Sequence, residues 1–366
     1  MNVLHIMDYA APYKGNFIPS IQNLEDHLNS KLARLIYMFP LSAQRMYWVE
    51  ELKEEGEKVY FIDNSFFSKK IKYSNLLKLK NVIKNENVEI IHTHFMTYNY
   101  SLALMKRSLI PKVKIVGNFM NEFLPAKNIY YQLKVLTTKL TYDIIIASSA
   151  SVKKSVLKTG VTAKKVVTIC NAIDFKHLQS FEKLNLKDNE GQKIILMFGW
   201  TFHRKGVDIA VKAVSGLIEE KRNIKLVIAM AGGQEIVKNE IIMLLGNMPK
   251  WINLLGPNPN VATYYNSADI FLSSSREEGF TYSVLEAAYC NPMIIVSKIG
   301  GHPVDIPNIG VFETERSDKL KEAINEMLKK SSNEISEINH SQREYVTKTY
   351  DINEWSKEVI KVYSIV

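Results

Sequence analysis

Two glutamates eight positions apart bracket the segment best suited to binding a ligand. Glu278 and Glu286 flank a glycine-led stretch that follows an apolar, strand-like run and opens a helical run. Gly279 lets the backbone approach a ligand closely, and free amides around Ser283 and Val284 predict an anion site at the helix start. Glu286 could accept hydrogen bonds from the vicinal hydroxyls of a ribose. Glu278 would then face a sugar.

A basic turn is the second candidate. Arg204 and Lys205 stand between the strand-like run Lys193–Phe198 and a helical run from Val207 to Ile218. Two cations on such a turn can neutralise a diphosphate leaving group without a metal ion. The alternative is a solvated basic turn. No Asp-x-Asp pair or His and Cys cluster follows a strand, so the sequence predicts neither a catalytic metal nor a cofactor.

Short β-rich runs alternate with longer amphipathic runs throughout, which predicts two Rossmann-like, doubly wound parallel sheets of class α/β with ligands at the carboxyl ends of the strands. The expected domains are residues 1–174, a polar linker 175–191, a second domain 192–349, and a C-terminal helix 350–366 that caps the second domain or crosses back to the first. The predicted strands are Val3–Met7, Leu32–Phe39, Lys58–Ile62, Glu89–Thr93, Lys114–Asn118, Asp143–Ala147, Val166–Cys170, Lys193–Phe198, Lys225–Met230, Ile252–Leu255, Ile270–Ser273, Met293–Val296 and Gly310–Phe312.

The order of these motifs resembles one enzyme family. A strand, a Lys-Gly turn and a helix are followed by a strand, a Glu-Gly-Phe loop and a helix with a second Glu, and then by a strand and the pair Gly300-Gly301. From about Asp143 to Gly301 the sequence resembles the family four retaining glycosyltransferases of GT-B architecture. Asn171 to Asp174 resembles that family's Asn-Gly-Val-Asp turn. The resemblance implies two domains facing a central cleft and a nucleoside-diphosphate-sugar donor, with UDP favoured.

The resemblance also implies roles for individual residues. Expected catalytic residues are Glu278, Lys205 and Arg204. Expected donor-binding residues are Gly199, Gly279, Phe280, Thr281, Ser283, Val284 and Glu286. Expected acceptor or cleft residues are Gly15, Asn16 and His94. The family usually has an Arg five positions before its diphosphate-binding Lys, where this chain has Trp200. Arg204 or His203 would then supply the missing charge.

The basic excess lies wholly in the first half. Residues 1–175 contain 24 Lys and Arg against 14 Asp and Glu, whereas residues 176–366 contain 23 against 24. Such asymmetry implies an anionic neighbour: nucleic acid, acidic lipid or a phosphorylated substrate. The stretches Phe66–Lys84 and Lys127–Leu140 mix aromatic, aliphatic and Lys residues, as segments lying on anionic bilayers do. The alternative is a pair of solvated crossover helices.

The expected location is cytoplasmic, with peripheral attachment at the inner face of a membrane. Met1 to Ala10 lacks the features of a signal peptide, and Cys170 and Cys290 are the chain's two cysteines, which suits a reducing compartment. The resemblance favours a lipid-linked or cell-envelope glycan acceptor. Nucleic acid is not expected, because it explains the charge but not the loops. The alternatives are a GT-B sugar phosphorylase, a nucleotide-sugar epimerase and a non-catalytic glycosyltransferase-like partner.

Overall fold

The computed structural model describes residues 1–11, 14–28, 34–68, 70–95, 100–126, 128–258 and 260–366. This chain divides into two units, the first comprising Met1–Ile173 with Ile352–Val366 and the second Asp174–Asp351. The segment 175–191, expected to be a linker, therefore falls within unit 2. Lys69, Lys127 and residues 32–33 of the second predicted strand lie outside the described residues.

Unit 1 is built on a parallel sheet in the order β3-β2-β1-β4-β5-β6-β7. Its strands are β1 (Asn2–Met7), β2 (Arg34–Pro40), β3 (Lys58–Ile62), β4 (Ile90–His94), β5 (Lys114–Phe119), β6 (Ile144–Ala147) and β7 (Val166–Thr168). Its crossover helices are α1 (Phe17–His27), α2 (Tyr47–Glu54), α3 (Tyr73–Asn85), α4 (Tyr100–Ser108), α5 (Ile129–Thr141) and α6 (Ala150–Lys158). Strand order reverses between β1 and β4.

Strand side chains point alternately to the two faces of this sheet. Both faces are buried. Along β1, Leu4 and Ile6 pack into one apolar cluster with residues of α3 and α4. Val3 and Met7 pack into the other, with residues of α1 and α2. Burial on both faces explains why these strands read as continuous apolar runs.

Unit 2 repeats the design in the order β10-β9-β8-β11-β12-β13, again all parallel. Its strands are β8 (Lys193–Phe198), β9 (Ile224–Ala229), β10 (Ile252–Leu255), β11 (Ile270–Ser273), β12 (Met293–Ser297) and β13 (Gly310–Phe312). Its helices are α7 (Val207–Glu219), α8 (Gln234–Leu245), α9 (Ala262–Asn266), α10 (Tyr282–Cys290), α11 (Ser317–Leu328) and α12 (Ser332–Thr349). The predicted fold class is confirmed, and β8 and β11 meet at the point where strand order reverses.

The last helix, α13 (Ile352–Ile365), belongs to unit 1. Its apolar stripe, including Trp355 and Val359, packs into the same cluster as α1. Its Tyr363 hydroxyl forms a 2.6 Å hydrogen bond with Nδ1 of His92 in the middle of β4. Both side chains are buried, and burial holds the pKa of His92 well below its usual value. A neutral buried imidazole thus anchors the C-terminal helix to the sheet.

Replacing Tyr363 with Phe should destabilise unit 1, because a buried ring nitrogen of His92 loses its partner. The expected cost is about 1–3 kcal/mol, a fall of roughly 2–4 °C in the unfolding midpoint per kcal/mol. Thermal unfolding followed by circular dichroism measures it. Ser364→Ala, an exposed change on the same helix, is the matched control, and equal midpoints for the two variants would contradict the anchoring role.

Candidate functional site

Two loops of unit 2 converge where β8 and β11 end. Ser274, directly after β11, donates its hydroxyl to the carbonyls of Lys205 and Gly206 at 3.1 and 2.9 Å. Gly206 has φ of 62°, and a Cβ there would lie 2.0 Å from the carbonyl oxygen of Ser274. Only glycine permits this approach. The basic turn is therefore fixed against the loop that leads to Glu278.

A buried ion pair forms where the loops meet. Lys205 Nζ lies 2.5 Å from Glu278 Oε1, and the two side chains are 7% and 10% exposed. Ser275 donates its hydroxyl to the same carboxylate oxygen at 2.8 Å. Arg204 lies 3.8 Å from the other oxygen, and the Lys205 ammonium lies 4.2 Å from the ring centre of Trp200. The three residues expected to be catalytic, Glu278, Lys205 and Arg204, thus form one cluster.

Burial and pairing compete in setting the charges of this cluster. Burial by itself would raise the pKa of Glu278, but attraction and hydrogen bonds from Lys205, with the bond from Ser275, hold that pKa below its usual value. For Lys205 burial is the larger effect, and it lowers the pKa although Glu278 opposes the shift. Glu278 is therefore a carboxylate at neutral pH.

Arg276 secures the turn, and the sequence pattern did not single it out. Its guanidinium donates two 2.8 Å bonds to Asp208 in the first turn of α7 and one 2.5 Å bond to the carbonyl of His203. It also pairs with Glu315. Hydrogen bonds to Asp208 and Glu315 raise the pKa of Arg276 further. The bridge between loops that are distant in sequence fixes the backbone on either side of Lys205.

The glycine pair after β12 packs against the other side of the Glu278 loop. Thr281 donates its backbone N–H to the carbonyl of Gly301 at 3.1 Å, and a Cβ on Gly301 would lie 2.1 Å from the carbonyl oxygen of Glu278. The next residue, His302, donates from Nδ1 to the carbonyl of Ser297 at 2.9 Å. Burial lowers the pKa of His302 to about 4, so it supports the loop as a neutral group.

Glu286 lies within α10 and has different neighbours. The hydroxyl of the buried Tyr265 donates to its Oε2, and Nε2 of His177 lies 4.0 Å from its Oε1. Phe175 stacks on Tyr289 of α10 with ring centres 4.8 Å apart. The segment after Asp174 is therefore packed on α10 beside Glu286.

Other donor-site candidates combine structural and site positions. Gly199 directly follows β8, and a Cβ there would lie 2.5 Å from Ile228. Phe280 packs its ring against Tyr282 with centres 5.8 Å apart, and Ser283 is half-buried in the first turn of α10. The expectation of an open amide at Val284 is wrong in this structure, because that N–H donates to the carbonyl of Thr281 at 3.2 Å, closing a tight turn at the helix start.

The N-terminal candidates all lie in unit 1. Gly15 has φ of 63° in the turn before α1, and the carbonyl of Asn16 accepts a 2.9 Å hydrogen bond from the hydroxyl of Ser20. His94 is fully buried, with its Nε2 2.9 Å from Nδ1 of His5. In this conformation the His94 ring faces the protein interior. Acceptor roles for these three residues stay predictions.

Among the described residues, one cluster brings His, Cys or carboxylate side chains close enough to hold a metal ion. His5, His92 and His94 have ring nitrogens within 4.8 Å of one another. Burial lowers the pKa of His5 to about 3 and holds the other two well below the usual value. The cluster lies in unit 1 and includes no carboxylate to offset a dication. The expectation of metal-free chemistry stays an expectation.

Two family models match the chain. Glycosyl transferases group 1 matches residues 179–349, and Glycosyltransferase Family 4 matches residues 48–177. The chain therefore belongs to the group 1, family 4 glycosyltransferases of GT-B fold, as the resemblance predicts.

Relatives of known name are distant. The phosphatidylinositol N-acetylglucosaminyltransferase GPI3 subunit of Saccharomyces cerevisiae is 24% identical over 307 residues, covering 80% of this chain and 66% of that one. The chain thus spans just under two thirds of that relative. The N-acetylgalactosamine-N,N'-diacetylbacillosaminyl-diphospho-undecaprenol 4-alpha-N-acetylgalactosaminyltransferase of Campylobacter jejuni is 27% identical over 230 residues, covering 60% of each.

Solved structures share the fold. Anabaena Alr3699/HepE in complex with UDP and glucose superimposes with a TM-score of 0.80 at 15% identity over the full length of both chains. A glycosyltransferase from Rickettsia africae superimposes with a TM-score of 0.79 at 18% identity, covering 99% of this chain and 97% of that one. Within the described residues, no helix has both the length and the apolar character needed to cross a membrane.

Glu278→Gln should destabilise unit 2 more at pH 7 than in acid. The change leaves Lys205 buried without its counter-charge, which costs about 3 kcal/mol. A lowered carboxyl pKa contributes stability above the ordinary value near 4.5 that is lost as pH falls through the lowered value. Urea unfolding from pH 7 to pH 3 should therefore show the wild-type advantage shrinking once the pH falls below about 4.5.

The matched control is Glu313→Gln, which removes an exposed carboxylate paired with Lys298. It should change stability by less than about 1 kcal/mol at every pH. A Glu278→Gln deficit of the same size at pH 7 and pH 3 would contradict the ionised pair, because the wild-type advantage depends on an ionised Glu278 carboxylate.

Proposed function

We propose that the chain transfers a sugar, with retention of anomeric configuration and without a metal ion, from a nucleoside-diphosphate-sugar to a hydroxyl of a lipid-linked or cell-envelope glycan. UDP is the favoured nucleotide. The observation that supports this most directly is the Lys205–Glu278 pair at the carboxyl ends of β8 and β11. Ligands of doubly wound sheets bind at such a reversal point.

The charges of the cluster suit an activated sugar. Lys205 and Arg204 are positioned to stabilise the negative charge that develops on a departing diphosphate. Glu286 on α10 is the acceptor for ribose hydroxyls. A structural neighbour of the same fold is described as a complex with UDP and glucose, which agrees with this choice of donor.

Retention is what the family resemblance implies, and the state of Glu278 favours one route to it. Lys205 and Ser275 both donate to its carboxylate, which suits an acceptor of sugar hydroxyls better than a nucleophile. We therefore favour attack by the acceptor hydroxyl on the face from which the diphosphate leaves. The bond from the anomeric carbon to the diphosphate breaks, the bond to the acceptor oxygen forms, and the hydroxyl proton passes to the departing diphosphate. A double displacement would need a carboxylate nucleophile on the opposite face.

Glu286→Ala should abolish stabilisation by nucleotides, and Lys205→Ala should weaken UDP about tenfold more than uridine, because only UDP carries the diphosphate. A thermal-shift panel of UDP, GDP, ADP and their sugars measures this, since a ligand at about a hundred times its dissociation constant adds roughly 2.7 kcal/mol. Lys298→Ala, an exposed lysine, is the control.

Unchanged binding in both variants would remove the proposed donor site. Turnover of the sugar nucleotide alone would indicate an epimerase, and turnover dependent on orthophosphate would indicate a phosphorylase.

The acceptor proposal rests on α5, which has its polar face inward. Thr137, Thr138 and Thr141 are buried, and their hydroxyls bond to carbonyls of the helix itself. Tyr131 and Val135 pack against the core of unit 1, whereas five apolar residues are exposed: Ile129, Tyr130, Leu133, Leu136 and Leu140. An exposed apolar stripe of this kind marks an interaction site.

The other basic stretch behaves differently. In α3 the aliphatic residues Leu76, Leu79 and Val82 are buried in unit 1, while Lys78 and Lys80 are exposed. This is the ordinary amphipathicity of a crossover helix, so the solvated alternative fits α3. The membrane hypothesis is confined to α5.

An anionic bilayer surface suits α5 best. Lys139 is exposed beside the apolar stripe, and the basic excess of the chain lies in residues 1–175. Relatives carry names that specify phosphatidylinositol and diphospho-undecaprenol acceptors. A peripheral helix that lies in the interface would bring the chain to such an acceptor.

The double variant Leu133→Glu/Leu136→Glu should bind vesicles of phosphatidylcholine and phosphatidylglycerol at least about tenfold more weakly. Each leucine that becomes buried in the bilayer contributes roughly 1.5–3 kcal/mol to binding. Vesicle co-sedimentation at physiological salt measures it. Leu77→Glu, on the exposed side of α3, is the control. A wild-type chain that stayed in solution would contradict membrane contact.

A further inference from the structure

Tyr265 holds the carboxylate of Glu286 from the protein interior. Its hydroxyl donates to Oε2, and Tyr265 is 0% exposed. Tyr265 lies in the short helix α9, twenty-one positions before Glu286. Neither residue type nor spacing predicted the contact.

The ring of Tyr265 is locked in place. It packs edge-on against Phe198 of β8 and Phe271 of β11, with ring centres 5.6 and 5.3 Å apart. Burial, with the charge of Glu286, raises the pKa of Tyr265 well above its usual value. The phenol therefore stays protonated and donates its hydrogen bond in a single direction.

The other oxygen of Glu286 lies on the side of His177. Nδ1 of His177 donates to the carbonyl of Asp174 at 2.5 Å, so Nε2 points toward Oε1, 4.0 Å away. The His177 side chain is 39% exposed. Oε1 is thus directed toward the open side of α10, whereas Oε2 is directed into the unit.

The two glutamates of the site are held by chemically different donors. Glu278 is held by a lysine, whose charge offsets its own. Glu286 is held by a neutral phenol, which fixes the plane of the carboxylate without offsetting its charge. Such a carboxylate keeps its strength as an acceptor for uncharged hydroxyl groups.

We infer that Tyr265 is the positioning residue for ribose recognition by Glu286 and makes the site selective for ribonucleotides over deoxyribonucleotides. The inference rests on the proposed donor site. Tyr265 orients Oε1 toward the ribose hydroxyls, and a nucleotide that lacks them loses those hydrogen bonds. Selectivity of this kind comes from buried polar groups that only the correct ligand satisfies.

The test compares UDP with 2′,3′-dideoxy-UDP by isothermal titration. Wild type should prefer UDP. Tyr265→Phe keeps the packed ring but removes the donor, and should weaken UDP about tenfold, the loss expected for one misaligned charge-assisted hydrogen bond. Its affinity for the dideoxy nucleotide should not change.

The matched control is Tyr264→Phe, which removes the neighbouring hydroxyl of α9, bonded instead to the carbonyl of Gly256 at 2.5 Å. It should preserve the preference for UDP.

Equal weakening of both nucleotides in Tyr265→Phe, or full retention of the preference, would overturn the positioning role while leaving the donor site standing. A wild-type chain that bound UDP and its dideoxy analogue equally would overturn the role of Glu286, and the inference with it. Binding of neither would overturn the proposed function itself.

Discussion

The close packing of two loops in unit 2 is the constraint on which the site depends. Gly206 and Gly301 are each required because backbone carbonyls of Ser274 and Glu278 occupy the space of a side chain. This packing buries the Lys205–Glu278 pair, whose desolvation opposes folding. Replacing a buried pair by apolar residues is often neutral or stabilising. Stability alone therefore does not explain why these two charges are buried. The proposed donor, which would use both charges, does explain it.

The two glutamates differ because the helix begins between them. Glu278 lies in the loop, where its carboxylate reaches the basic turn after β8. Glu286 lies inside α10, where its side chain reaches α9 and the segment after Asp174. One strand, loop and helix thus presents one carboxylate to the cations of the basic turn and another to a neutral phenol. The eight-residue spacing therefore places one carboxylate in the loop and the other in the helix.

The sequence predicted the strands and helices, which depend on neighbouring residues. It could not predict contacts between residues that are distant in sequence. All thirteen strands expected from apolar runs occur within the described residues, because strands buried on both faces are continuously apolar. Arg276 and Tyr265 were missed because their partners are distant in sequence. In α5 the pattern gave a helix and its two faces but not which face is buried, since periodicity is the same for either orientation. The placement of α13 in unit 1 rests on contacts between residues distant in sequence, among them its packing with α1 and the hydrogen bond between Tyr363 and His92.

Trp200 stands at the position where the resemblance implies an arginine. The site therefore has one cation fewer than expected. Its ring lies 4.2 Å from the Lys205 ammonium, an attraction worth about 0.5–2 kcal/mol. A tryptophan can fix the lysine without adding charge, so Glu278 faces one buried cation. Arg204 is more exposed, and its guanidinium lies 3.8 Å from the carboxylate of Glu278. Arg204 is held loosely by Glu278, and its backbone carbonyl accepts a hydrogen bond from the backbone N–H of Arg276, so the turn is fixed while the side chain keeps freedom. In the proposed donor site, Trp200 positions Lys205, and Arg204 or His203 supplies the charge of the missing arginine.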